Sequence, residues 1–189
     1  MANTTKSKKR GGTRMPLAMS MLAADHKAVS KLFKSYESTE ERQQKRSILQ
    51  QICAALTAHA QLEEELFYPA LRSGFDGEDA ELLDEAEVEH STVKALVGAL
   101  ENAKPGDDLV DAKVKVLSEY VKHHVREEED EIFPKAKKAK DVDFDALGER
   151  MQQRKQQLEA SAGIGEEAPG GNGSRGSRRS RTRAPVGAH

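Results

Sequence analysis

The apolar positions of residues 17–139 recur at spacings of three and four, the signature of helices that bury one face. Leu22, Val29, Phe33 and Tyr36 form one stripe, and Ile48, Ile52, Leu56, Leu66 and Ala70 a second. Leu83, Ala86, Val93, Val97 and Leu100 form a third, and Val110, Val114, Leu117, Val121 and Ile132 a fourth. Ser38-Thr39-Glu40-Glu41 reads as a capping box opening a helix. Asp76-Gly77-Glu78-Asp79 reads as a turn and Asn102-Ala103-Lys104-Pro105-Gly106-Asp107 as a clear break. These signals predict helices over residues 17–37, 39–72, 78–103 and 108–139, with a shorter fifth over about 144–162. Short connections make neighbouring helices antiparallel. The expected fold class is therefore all-α, an up-down-up-down four-helix bundle with a short extra C-terminal helix.

Composition narrows the class. The chain is 33% charged and 4% aromatic with no Trp, enough to fill narrow helical stripes but not a thick sandwich core. Its apolar runs fall far short of the ~20 residues that a transmembrane helix needs, and no apolar stretch follows the basic N-terminus as in a secretory signal. No membrane partner is expected. A single cysteine, Cys53, excludes an intrachain disulfide or a thiolate zinc site and points to a reducing, cytoplasmic setting. Cys53 itself reads as a small buried hydrophobe.

Charge divides the chain further. Of the net −2, residues 1–14 contribute +5 and residues 163–189 +3, so residues 15–162 carry −10. Three parts follow: a disordered basic N-terminal tail over 1–14, a helical domain over 15–162, and a disordered Gly/Ser/Arg-rich tail over 163–189. The tails allow weak, non-specific nucleic-acid contact through counterion release. No aromatic residues interleave with the arginines to stack on bases.

The domain is internally repeated. At a shift of 65, His59-Ala60-Gln61-Leu62-Glu63 falls on His124-Val125-Arg126-Glu127-Glu128, and Phe67-Tyr68-Pro69 on Ile132-Phe133-Pro134. At a shift of 64, Asp25-His26 falls on Glu89-His90. The histidines interrupt the apolar stripes. His26 lies between Leu22 and Val29, His59 between Leu56 and Leu66, His90 between Ala86 and Val93, and His124 between Val121 and Ile132. Glu63 and Glu128 follow His59 and His124 at i+4, on the same helix face. Each helix thus aims one imidazole inward, and two add a carboxylate. Burying these groups without a counter-charge would cost several kcal/mol per ion. Two divalent cations would supply it, and a nitrogen and oxygen set without thiolate suits iron, manganese or zinc.

These residues resemble the hemerythrin-like family, the HHE cation-binding domain, over about residues 15–160. The resemblance implies a four-helix bundle holding two iron ions, with His26, His59, His90 and His124 as terminal ligands and Glu63 and Glu128 as bridging carboxylates. Oxygen-carrying hemerythrins place a further histidine one turn before the third-helix ligand, where this chain has Ala86. The resemblance is therefore closer to the bacterial HHE proteins. It implies a non-haem di-iron protein that binds or reacts with oxygen, peroxide or nitric oxide in sensing or stress response. A peroxide-decomposing enzyme and a metal-free interaction module acting through the basic tails are the alternatives. The oligomeric state stays open.

Other polar residues are assigned bland roles. Glu64, Glu127 and Glu129 read as solvated charges, Tyr120 as packing at the bundle edge, and His123 as a surface residue about 100° off the stripe. His189 falls in the C-terminal tail. Pro69 and Pro134 are expected to kink or end their helices.

Overall fold

The computed structural model describes residues 14–104, 107–139 and 141–161. The tails at 1–14 and 163–189, with His189, lie outside the described residues except for Arg14. Helix α1 spans Leu17–Ser38. Helix α2 runs through Arg42–Leu62, continues in a π-helical turn over Glu63–Phe67 and ends with Tyr68–Arg72. Helix α3 spans Glu78–Glu101. Helix α4 repeats the construction of α2, with Val110–Glu127, a π-turn over Glu128–Ile132 and Phe133–Ala136. Helix α5 spans Phe144–Ser161. The first four form the expected four-helix bundle. Among the described residues there is no strand, and no helix is long and apolar enough to cross a membrane.

The helix starts differ in detail from the sequence expectation. Glu41, not Ser38, caps α2, its carboxylate accepting from the Gln43 and Gln44 amides at 2.8 and 2.6 Å. Thr39 instead donates to the Ser35 carbonyl at 2.7 Å, closing α1. Gly77 does sit at the turn before α3, with a positive φ of 49° that favours glycine.

The prolines do not end their helices. A proline ring clashes with the carbonyl four residues back and supplies no amide proton. The turn ahead of each proline widens instead. The Tyr68 amide bonds the Glu63 carbonyl, and the Phe133 amide bonds the Glu128 carbonyl, each five residues back. Both π-turns begin on a buried glutamate, and such turns are frequent at functional sites.

The interior has two apolar halves. One contains Met19, Leu22, Leu62, Phe67, Leu83 and Phe133, and also receives Phe144, Leu147 and Met151 from α5. The other contains Val29, Phe33, Ile52, Leu56, Val93 and Leu117. Along every bundle helix the inward histidine falls at the junction of the two. Full burial of a Leu or Phe stabilises by about 1.5–3 kcal/mol. The two halves therefore hold in place a polar layer that cannot stabilise itself.

Helix α5 is docked closely. The Leu17 amide donates to Asp145 at 3.0 Å. A Cβ at Gly148 would lie 2.6 Å from Leu17 Cγ and 2.7 Å from the Ala18 nitrogen, so only glycine permits this approach.

Candidate metal centre

The six residues singled out by the sequence converge in two groups. His26, His59, Glu63 and Glu128 form one; Glu63, His90 and His124 form the other. All six are buried, and both glutamates are fully so. Glu63 joins the groups. Its Oε1 lies 3.1 Å from His59 Nε2 and its Oε2 lies 3.2 Å from His90 Nε2. Glu128 Oε2 approaches His26 Nε2 at 3.1 Å and belongs to the first group alone.

The imidazoles are paired nitrogen to nitrogen. Nε2 of His26 and His59 are 3.2 Å apart, as are Nε2 of His90 and His124. The outward nitrogens explain which lone pairs face inward. His26 Nδ1 meets Glu129 at 2.8 Å, His90 Nδ1 meets Glu64 at 2.9 Å, and His124 Nδ1 meets Glu89 at 2.9 Å. A carboxylate only accepts, so it takes the Nδ1–H and leaves Nε2 as a bare donor atom. Such an outer carboxylate also fixes the ring and raises its basicity toward a metal.

Facing lone pairs repel unless a cation lies between them. Both oxygens of Glu63 and both of Glu128 are buried without a hydrogen-bond partner. Orphaned charges of this kind are rare in folded proteins. The donor set therefore fits two hard or borderline cations sharing the Glu63 carboxylate. Protonation is the other way to fill the gap. Burial opposes a charged His59, yet the nearby carboxylates of Glu63 and Asp25 drive its pKa up to about 10. Burial and the like charge of Glu63 push Glu128 up to about 7. Glu63 itself is held well below the usual range by His59 and His90, against its burial.

Four carboxylates that flank the ligands escaped the sequence reading. Glu64 and Glu129 are not simply solvated; they anchor imidazoles on other helices. Asp25 and Glu89 occupy equivalent places, Glu89 on His124 and Asp25 facing His59 Nδ1 at 3.8 Å. The signal was in the repeat, since Asp25-His26 aligns with Glu89-His90 and Glu63-Glu64 with Glu128-Glu129. Tyr68 was also missed. It is fully buried, its hydroxyl has no partner, and its ring lies 5.6 Å from His90. Phe133, its repeat counterpart, stacks on His26 at 6.2 Å.

The remaining candidates fall outside the centre. His123 is 55% exposed and pairs with Glu127 at 3.1 Å and Glu89 at 3.4 Å. Tyr120 is exposed. Ala86 is buried among apolar neighbours. Cys53 is buried, and burial with the Glu101 charge pushes its thiol up to about 11. A cavity of about 900 Å³ reaches all four imidazoles, walled by small apolar groups such as Ala54, Ala55, Ala58 and Val93.

Residues 17–136 match the family described as the Hemerythrin HHE cation binding domain. The chain belongs to this family. Its fold agrees with the crystal structure of an HHE cation-binding-domain protein from Mycobacterium kansasii, a homologue of Rv2633c. The TM-score is 0.66 at 22% identity, covering 78% of this chain and 90% of that one. The chain is also 33% identical over 114 residues to a protein named DNA nickase from Nostoc sp. (strain PCC 7120 / SAG 25.82 / UTEX 2576). The match takes in 60% of this chain but 31% of that relative, so the chain spans about a third of its length. As an HHE domain, the chain is a cation-binding protein.

Proposed function

We propose that the chain holds two iron ions, one by His26, His59, Glu63 and Glu128 and the other by Glu63, His90 and His124. Through them it binds or reacts with oxygen, peroxide or nitric oxide in the cytoplasm, in sensing or stress response. The observation that carries this reading is the meeting of paired Nε2 atoms at 3.2 Å with two buried carboxylates that have no partner. Iron would supply one-electron chemistry and open coordination positions, which a small oxidant needs. Manganese and zinc fit the same donors, but zinc has no redox chemistry.

The residues do the rest. Glu64, Glu89 and Glu129 orient the rings, and the two apolar halves flank the polar layer. The cavity of about 900 Å³ gives a ligand access to the imidazole side. A catalase-like turnover uses the same site. It is distinguished by oxygen release from peroxide with the centre unchanged afterwards, whereas a sensor gives one stoichiometric spectral change.

The deciding measurement is the metal-to-protein ratio of chain purified without an affinity tag or chelator. About two irons per chain are expected. A ratio near zero that anaerobic Fe(II) cannot restore would overturn the proposal. The name of the Nostoc relative favours a second reading, action on or beside DNA. That reading expects DNA binding that is lost on deleting residues 163–189 and indifferent to His59→Ala.

A further inference from the structure

Three of the four inward imidazoles have an outer carboxylate within 2.8–2.9 Å of Nδ1. His59 does not. Its Nδ1 is buried without a hydrogen-bond partner, and the nearest carboxylate oxygen, Asp25 Oδ2, stands 3.8 Å away. Asp25 is engaged elsewhere: its Oδ1 is paired with the ammonium of Lys155 on α5. The counterpart of Asp25 is Glu89, which has one more methylene. Glu89 reaches His124 at 2.9 Å with one oxygen and His123 at 3.4 Å with the other. The shorter aspartate does not serve both of its partners.

We propose that Lys155 is a positioning residue that makes the two metal positions unequal: by holding Asp25 off His59, it leaves the His26–His59 position the more readily exchanged, although that position has four protein donors against three. The proposal rests on the two-metal reading above. Lys155 lies on α5, beyond residue 136, where the family match ends. Helix α5 holds its place independently of Asp25. Arg154 makes two bonds to Glu65, at 2.7 and 3.0 Å, and Gly148 seats the helix on α1. Lys155 also lines the cavity that reaches His26 and His59, so the looser position lies next to a residue that faces the ligand route. Loss of an outer carboxylate weakens a metal site by about 10–100-fold, which sets the expected inequality.

The test uses the full chain loaded with cobalt(II), a slowly oxidised stand-in for iron(II) with the same preference for these donors. Excess chelator is added and metal release is followed in time. Two phases differing by about 10-fold or more are expected in the unaltered chain. Lys155→Met frees Asp25 to close on His59 and should slow the fast phase toward the slow one. Damage to packing would speed release, so slowing is not a structural side effect. Asp25→Glu supplies the missing reach while keeping Lys155, and should also slow the fast phase. It keeps the proposal testable if Lys155→Met does not fold. Arg154→Met should leave both phases in place. A single phase in the unaltered chain, or a fast phase unchanged in Lys155→Met and Asp25→Glu, overturns the proposal and leaves the two-metal reading standing. A chain that takes up no cobalt overturns both.

Discussion

Glu63 and Glu128 look equivalent in sequence, each four residues after a histidine and each opening a π-turn, yet their surroundings differ. Glu63 faces both groups of imidazoles, and Glu128 faces one. Glu63→Gln should therefore weaken both positions and empty the His90–His124 one, which has no other carboxylate in its group, and Glu128→Gln should weaken the His26–His59 position alone. Metal analysis of the two purified variants separates these outcomes. His123→Ala should leave the ratio unchanged, since His123 faces solvent. Cys53 gives a second test at this scale. Its thiol is shifted from an ordinary 9.0 to about 11 by burial first and then by Glu101. The folded state holds this proton more tightly, so its contribution to stability is present below pH 9.0 and is lost as pH rises toward 11. At pH 8 the folded chain should resist alkylation, and guanidinium-unfolded chain should react readily.

Helix α5 is joined to the bundle by a close approach at Gly148. Gly148→Ala gains helix propensity of about 1 kcal/mol. It also places a methyl group 2.6–2.7 Å from Leu17 and the Ala18 nitrogen. Overpacking of this kind costs about 1–3 kcal/mol. A net loss of stability is expected in urea unfolding, with far-UV helicity retained. The helices themselves were legible because their apolar residues keep a strict period, and that period reflects which face is buried. The π-turns were not legible. Pro69 and Pro134 announce that a regular turn must fail, but they do not say how. Whether the chain kinks, stops or widens depends on whether packing on both sides keeps the helix running. Here Phe67 and Tyr68 on α2, and Ile132 and Phe133 on α4, are all buried, and the widened turn lets adjacent residues enter the core together. The start of α2 shows the same limit. Ser38 and Glu41 both carry capping chemistry, and the choice between them depended on where α1 ended.

For the whole molecule, two apolar halves enclose a charged layer, and stability must depend on what occupies that layer. Glu63 and Glu128 are buried without partners, a cost of several kcal/mol when no cation is present. Any ion that binds the folded chain alone stabilises it, by about 2.7 kcal/mol at a free concentration 100 times its dissociation constant. Thermal unfolding should shift downward on removal of metal and recover on its return, and His59→Ala should lose the part of that response that the His26–His59 position supplies. A melting temperature indifferent to chelator in the metal-loaded chain would contradict this account.

The sequence by itself determined the helical class, the internal repeat and the six inward ligand candidates. The reason is local: a histidine in an apolar stripe is conspicuous against a period of 3.6, and two His-x3-Glu pairs share a face by helix geometry alone. Only the tertiary structure decided which carboxylates matter beyond those six. Asp25, Glu64, Glu89 and Glu129 look like any surface charge along their own helices, and each faces an imidazole on a different helix. Sequence spacing carries no information about distances across a bundle. The same holds for the sharing of Glu63, the solitary place of Glu128, and the grip of Lys155 on Asp25 across 130 residues. Those were set by how the four helices and α5 pack.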